Sequence, residues 1–304
     1  MKKLLIPMIL ISVLITSACS KQDTKSTTEE TKSKTITYQS ETGPIKVPAN
    51  PKRIVILNSS VSGHVMALEG NIVGIDTWSK ADPIFSKYIK NATEVSADNI
   101  EKIIELKPDL IIGASTDKNI DKLSKIAPTV TYTYNKVDYL TQYLEIGKLL
   151  NKEKVAQTWI DDFKKRAQKA GEDIKAKIGE NATISVMENS DKQIYVFGDN
   201  WGRGTEILYK EMKLKMPDKV KEMALKAGYY ALSPEVLPDY AGDYVIFSKS
   251  STVDNSFQKT ATYKNIPAVK NNHLFEVDAK TFYFNDPISL DFQLDFFIKS
   301  LLGK

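Results

Sequence analysis

The chain has 304 residues, room for two modest cores or one large one, and its 42% hydrophobic and 26% charged content is that of a globular protein. The net charge of +4 is small and spread along the chain, so no nucleic-acid partner is expected. A single cysteine, Cys19, and two histidines, His64 and His273, exclude an internal disulfide framework, a cysteine-based zinc site and a multi-imidazole metal centre.

Residues 1–18 carry Lys2 and Lys3, an apolar run over 4–15 and then Thr16, Ser17 and Ala18. That order predicts a secretory signal peptide, too short for a comfortable membrane span. The sole cysteine follows the small residues directly, which resembles the lipobox of bacterial lipoproteins. The resemblance implies that Cys19 is lipidated and ties the chain to a membrane. Thr16 departs from the usual leucine, and an ordinary signal peptide with a chance cysteine is the alternative. Residues 19–36 are Lys, Thr, Glu and Ser almost throughout and predict a flexible tether. A folded part held outside the membrane favours capture of an extracellular solute.

Residues 35–48 alternate around Gly43-Pro44, as in a β-hairpin. Apolar runs at 53–57, 71–75, 109–113 and 129–134 predict strands, separated by helical stretches through Val65 and Leu68, through Ile100, Ile103, Ile104 and Leu106, and near 120–126. Residues 96–99 would cap the second of these. Continuous apolar strands alternating with helices indicate a parallel sheet covered on both faces, with ligands beyond the carboxyl ends of its strands. Those ends are 58–60, 76–78, 114–116 and Tyr134. The block from Ile100 to Ile112 and the Pro51-Lys52-Arg53-Ile54-Val55 start are similar to the substrate-binding proteins of iron-siderophore and cobalamin ABC importers. That family implies an α/β fold of the class III periplasmic-binding-protein type, two Rossmann-like lobes joined by a single long helix.

The helix is supplied by residues 152–178. Ala156, Ile160, Phe163, Ala167, Ala170, Ile174 and Ile178 recur at the spacing of one helix face, with charged residues between them. Gly171 interrupts it at a cost of about 1 kcal/mol relative to alanine. On pattern alone this is equally a spine between two lobes or a long surface helix within one domain. With the resemblance, the expected division is a lobe over 37–151, the joining helix over 152–179 and a second lobe over 180–304.

In the second lobe 182–187 and 193–197 predict strands. Asp199-Asn200-Trp201-Gly202-Arg203-Gly204 follows, leading to a helix through Ile207, Leu208 and Tyr209. Such a loop is compatible with a phosphate cradle at a helix N-terminus or with a plain tight turn. Later come a capped helix start at 233–237, strands at 243–247 and 274–277, and an amphipathic helix over 287–302. The loop, with Tyr195 before it and Phe282-Tyr283-Phe284 after, resembles the ferric-hydroxamate-siderophore lipoproteins of Gram-positive bacteria from about Thr37 to the C-terminus. The resemblance implies that Trp201 and Arg203 contact the iron-siderophore with Tyr195 and Tyr134 beside them. One of the aromatic trio does so as well, Tyr283 if strand parity decides. Trp78 is added from its strand-end position. An isolated tyrosine such as Tyr134 is as commonly half-buried packing. The same resemblance implies that Glu101 and Glu235, each near a helix start, dock the two lobes onto an ABC permease; a favourable helix-dipole placement is the alternative.

Arginine occurs only at Arg53, Arg166 and Arg203, and only Arg203 falls at a pocket position. A ferric tris-hydroxamate is neutral, bulky and rimmed by oxygen acceptors, which one arginine and several aromatic faces suit. Polyanionic catecholate or citrate complexes call for more basic groups. The expectation is therefore a monomeric, non-catalytic binding protein needing no cofactor or bare-metal site. The rivals are the same fold carrying a catecholate, haem or cobalamin, and a surface hydrolase using Ser59, Ser60 or Ser62 near His64.

Overall fold

The computed structural model describes residues 34–190 and 193–303; the expected signal peptide, Cys19 and residues 20–33 of the tether lie outside the described residues. Strands β1 (Thr35–Ser40) and β2 (Gly43–Pro48) form the antiparallel hairpin. The first lobe is built on β3 (Ile54–Ile56), β4 (Ile72–Ile75), β5 (Thr93–Glu94), β6 (Leu110–Ala114) and β7 (Thr129–Tyr132). They lie in the order β5-β4-β3-β6-β7, all parallel. β3 and the first four residues of β6 are buried outright, because helices cover both faces and alternation has no solvent side to serve.

The second lobe carries β8 (Ile184–Ser190), β9 (Gln193–Phe197), β10 (Tyr229–Leu232), β11 (Tyr244–Lys249) and β12 (Leu274–Asp278), in the order β10-β9-β8-β11-β12. β11 runs parallel to β8 and β12, whereas β9 is antiparallel to β8 and β10. β8 extends three residues past the predicted strand, which puts Glu188 inside the sheet.

Between the sheets runs the helix Glu153–Ile178. Its buried face is Ala156, Ile160, Phe163, Ala167, Ala170, Gly171 and Ile174, the face read from the sequence with Gly171 added and Ile178 only half-buried. The helix packs on Tyr139–Leu149 and on the closing helix Pro287–Leu302. One apolar cluster runs through all three and takes in residues of both sheets, from Ile54 and Ile112 to Val186 and Ile246. The outer faces of the two sheets have separate cores. The spine is thus the wall that both lobes share.

Some local expectations change. Residues 233–237 give a short 3-10 turn (Pro234–Val236) before the one-turn helix Leu237–Tyr240, and Ser233 makes no cap bond. Asn99 stands at the cap of Ile100–Glu105, but its Oδ1 accepts from Ser96 N at 2.9 Å and Ser96 Oγ at 3.1 Å. The helix after Gly204 is π-helical over Glu206–Glu211, with Met212 N donating to Ile207 O at 2.8 Å. Phe282 ends a helical turn (Ala279–Phe282) and Tyr283 is its cap, so strand parity does not apply to the trio. Phe282 and Phe284 are buried and Tyr283 is exposed.

Candidate functional site

The carboxyl ends of β3, β6 and β7 converge, held by Asn58. Its Oδ1 accepts from Ser60 N at 3.1 Å while its Nδ2 donates to Gly113 O and Tyr132 O, each at 3.4 Å. Facing these ends from the second lobe are the loop around Trp201 and the segment 283–285. Together they enclose a cavity of about 490 Å³, within the range of small-molecule sites. Tyr134, Trp201, Gly202, Tyr283 and Asn285 line it with the three strand ends. A second hollow of about 350 Å³ shares Tyr283 and Phe284 with the first and is walled by Trp78, Glu188, Arg203 and Lys280.

The loop is shaped for this position. Gly202, Arg203 and Gly204 all have left-handed backbone, with φ of 69°, 57° and 79°. A Cβ at Gly202 would lie 2.3 Å from the Tyr283 carbonyl oxygen, so glycine is demanded by conformation and by close approach alike. For Arg203 the same conformation carries a cost of roughly 1–2 kcal/mol. Gly202 N donates to Glu206 Oε1 at 3.0 Å and Trp201 N to Thr205 Oγ1 at 3.3 Å. These amides are taken by the chain's own side chains, so the loop is the tight turn and not the phosphate cradle. Asn285 Nδ2 also donates to Glu206 Oε1, at 2.9 Å, tying the two cavity segments together.

Arg203 is 6% exposed and tightly held. Its Nε donates to Glu188 Oε2 at 3.0 Å, its Nη2 to Glu188 Oε1 at 2.7 Å, and its Nη1 to Trp201 O at 3.0 Å. The guanidinium carbon lies 4.1 Å from the Tyr283 ring centroid and 4.8 Å from that of Phe197. Burial alone would pull its pKa down, but the Glu188 charge and hydrogen bonds leave it raised. Three of the five guanidinium N–H groups are engaged. The other two remain as donors.

Aromatic rings make up the rest. Tyr134 meets Trp201 edge-on at 5.5 Å, and Trp201 packs on Tyr229 at 5.0 Å. Tyr229 in turn meets Tyr195 at 5.8 Å, which leaves Tyr195 two rings back from the cavity, behind Trp201 and Tyr229. Trp78, 65% exposed, stacks on Tyr283 at 5.5 Å. Burial and then the nearby Glu206 raise the Tyr134 hydroxyl to about 12, so it stays a proton donor at neutral pH.

Of the six residues expected at the site, Tyr134 and Trp201 line the larger cavity, Trp78 and Arg203 the smaller hollow, Tyr283 both, and Tyr195 neither. Glu188 and Tyr229 are additions: the sequence reading stopped its strand at 187 and placed none over 229–232. The other arginines are structural, Arg53 donating to Leu106 O at 2.9 Å and Arg166 pairing with Asp291 at 2.7 Å. Burial lowers the His64 pKa to about 4, against a smaller upward pull from the Tyr139 backbone. Ser62 Oγ donates to Asp76 and Ser60 Oγ to Asn58, so His64 activates neither serine. Glu101 and Glu235 are exposed, one on each lobe. No group of acidic, histidine or cysteine side chains able to hold a metal ion occurs among the described residues.

Two α/β lobes on a shared helix, with an aromatic cleft between them, define a solute-binding protein. The sequence profile of the periplasmic binding protein family matches residues 54–281, and the chain belongs to that family. It is 37% identical over 301 residues to the iron(3+)-hydroxamate-binding protein FhuD of Bacillus subtilis (strain 168), covering 97% of this chain and 95% of that one. The solved structure of FhuD2 from Staphylococcus aureus with bound ferrioxamine B aligns at a TM-score of 0.79 and 36% identity, over 83% of this chain and 99% of that one. The FhuD protein from S. pseudintermedius aligns at 0.78 and 37%, over 89% and 99%.

Proposed function

We propose that this chain captures a ferric hydroxamate siderophore in the cleft between its lobes and delivers it to an ABC importer for iron uptake. The observation that carries the reading is a pair of adjoining hollows: the rings of Tyr134, Trp201 and Tyr283 line the first, and Tyr283 with the Arg203 guanidinium, three of whose five N–H groups are engaged, lines the second. The rings would cover the apolar linkers of the ligand, and Arg203 and the Tyr134 hydroxyl would donate to its oxygens. Tyr195 and Trp78 would complete the contact, the first through Tyr229 and the second through its stack on Tyr283. The names of the relatives support the cargo class. Iron stays wrapped in the chelator, so the protein needs no metal ligands of its own. The protein would act as a monomer, anchored by lipid at Cys19 on the outer face of the cell membrane, with Glu101 and Glu235 meeting the permease.

Quenching of tryptophan fluorescence by ferrioxamine B, ferrichrome and a ferric tris-catecholate tests this. Saturable quenching by the hydroxamates is expected, weakened in Trp201→Ala by roughly 5–150-fold in affinity, the equivalent of about 1–3 kcal/mol for one buried aromatic contact. Absence of hydroxamate binding, checked by calorimetry, would sink the cargo assignment. Glu101→Ala and Glu235→Ala should bind normally yet fail in cellular iron uptake; a loss of affinity in either would remove the docking role.

A further inference from the structure

The arginine of the cleft is neutralised before any ligand arrives. Glu188 on β8 stands opposite Ser248 on β11 and Tyr195 on β9, so the three side chains share one face at the cleft end of the sheet. Glu188 takes two N–H groups of Arg203 and the Ser248 hydroxyl at 2.7 Å, and both members of the pair are buried. It also walls the hollow that Arg203 and Tyr283 face. A second buried carboxylate, Glu206, lies behind the loop and is held by neutral donors alone, the Gly202 amide, Asn285 and the Thr205 hydroxyl. The buried charges around the loop thus total one guanidinium against two carboxylates. The lysine bordering the hollow, Lys280, is exposed to solvent. A carboxylate so placed aims the guanidinium and cancels its charge together, leaving a hydrogen-bond donor with no net pull on anions.

We infer that Glu188 is the positioning residue that sets the charge selectivity of the cleft, admitting electroneutral ferric chelates and turning away polyanionic ones. The inference rests on the hydroxamate reading and adds to it the residue that enforces it. An unpaired Arg203 in the same desolvated place would attract a ferric tris-catecholate, which carries three negative charges, far more than neutral ferrichrome. Removing the Glu188 charge should therefore change the preference between ligands and not merely the affinity.

The test is the ratio of affinities for a ferric tris-catecholate and for ferrichrome in the full protein, by calorimetry at low and at physiological salt. In Glu188→Gln the Ser248 hydroxyl can accept from the new amide while the amide oxygen keeps one guanidinium bond. The ratio should rise at least about tenfold, more at low salt, as the loss of one buried negative charge beside the guanidinium requires. Glu188→Asp, which keeps the charge, should bind both ligands more weakly at an unchanged ratio. A folded Glu188→Gln with an unmoved ratio overturns the inference, and so does Glu188→Asp moving it as far as Gln. If Glu188→Gln does not fold, the wild type decides: its catecholate affinity should be weak and nearly flat with salt, and a steep climb at low salt overturns the inference. Failure of the wild type to bind ferrichrome would overturn the hydroxamate reading itself, an outcome separate from any change of ratio.

Discussion

At the scale of single residues, Arg203 shows how a binding group can also carry stability. Its removal leaves Glu188 buried with no cation, the costly way to break a buried pair. Arg203→Ala should therefore lower unfolding free energy by about 3–5 kcal/mol as well as weaken ligand binding. Denaturant unfolding of the ligand-free protein checks this; an unchanged midpoint would mean that water already solvates the pair. Trp201→Ala leaves no charge behind, so it is the cleaner probe of the site. The two residues are conspicuous in the sequence, a tryptophan and an arginine in a glycine-rich turn, but only the resemblance implies that they contact a ligand. Glu188 is not: a lone acid at the end of an apolar strand gives no sign of its partner 15 residues on, across a hairpin. Tyr229 was hidden for a similar reason, since its strand is four residues long and only pairing with β9 defines it.

At the scale of elements, the spine helix tests the limits of propensity. Gly171 looks like a local weakness worth about 1 kcal/mol to an alanine. A Cβ there would lie 2.5 Å from the Met212 carbonyl oxygen and 2.6 Å from its Cα, backbone atoms that cannot rotate away. Overpacking of that kind costs about 1–3 kcal/mol, so Gly171→Ala should be net destabilising despite the helix gain. A rise in melting temperature would show that the π-helical segment and Met212 yield instead. The periodicity exposed the buried face, but not that one position on it touches main chain, because the touching segment belongs to another element.

The junction of the 3-10 turn Pro83–Phe85 with the closing helix makes a second case. Asp82 caps that turn through Ile84 N at 2.9 Å, while its Oδ2 is buried and without a partner. Burial first, then Asp286 and Asp278, push its pKa from 3.8 to about 7. Buried Asp286 is raised to about 6 in the same sense. A carboxyl raised in the folded state contributes fully below its unfolded pKa, and that contribution is lost as pH rises through the folded value. Asp82→Asn should accordingly be close to neutral near pH 4 and stabilising at pH 8, by about 1–4 kcal/mol. The buried, depressed His64 acts with the opposite sign, its contribution being lost as pH falls toward about 4, so the mutant-minus-wild-type difference is the quantity to measure. Equal effects at both pH values would place the Asp82 proton elsewhere.

For the whole molecule the question is how far the lobes move when cargo enters. The apolar cluster that runs through the spine joins the inner faces of both sheets into one core, and opening the lobes widely would have to tear it. The closing helix adds polar ties, Arg166 to Asp291 at 2.7 Å and Trp159 Nε1 to the same carboxylate at 3.1 Å. Across the mouth, by contrast, the contacts are side-chain rings: Tyr134 on Trp201 and Trp78 on Tyr283. Tyr139 Oη to Glu211 at 2.7 Å is one of the few polar links between the lobes. Exposed rings can change rotamer within nanoseconds, whereas a close-packed shared core does not deform continuously. Entry of the ligand should therefore be managed by swinging Tyr134, Trp201, Trp78 and Tyr283 within a nearly rigid frame. Small-angle scattering with and without ferrioxamine B should differ by less than about 1 Å in radius of gyration. A contraction of about 2 Å or more would mean that the spine bends, and the shared core would then be the hinge instead of the brace.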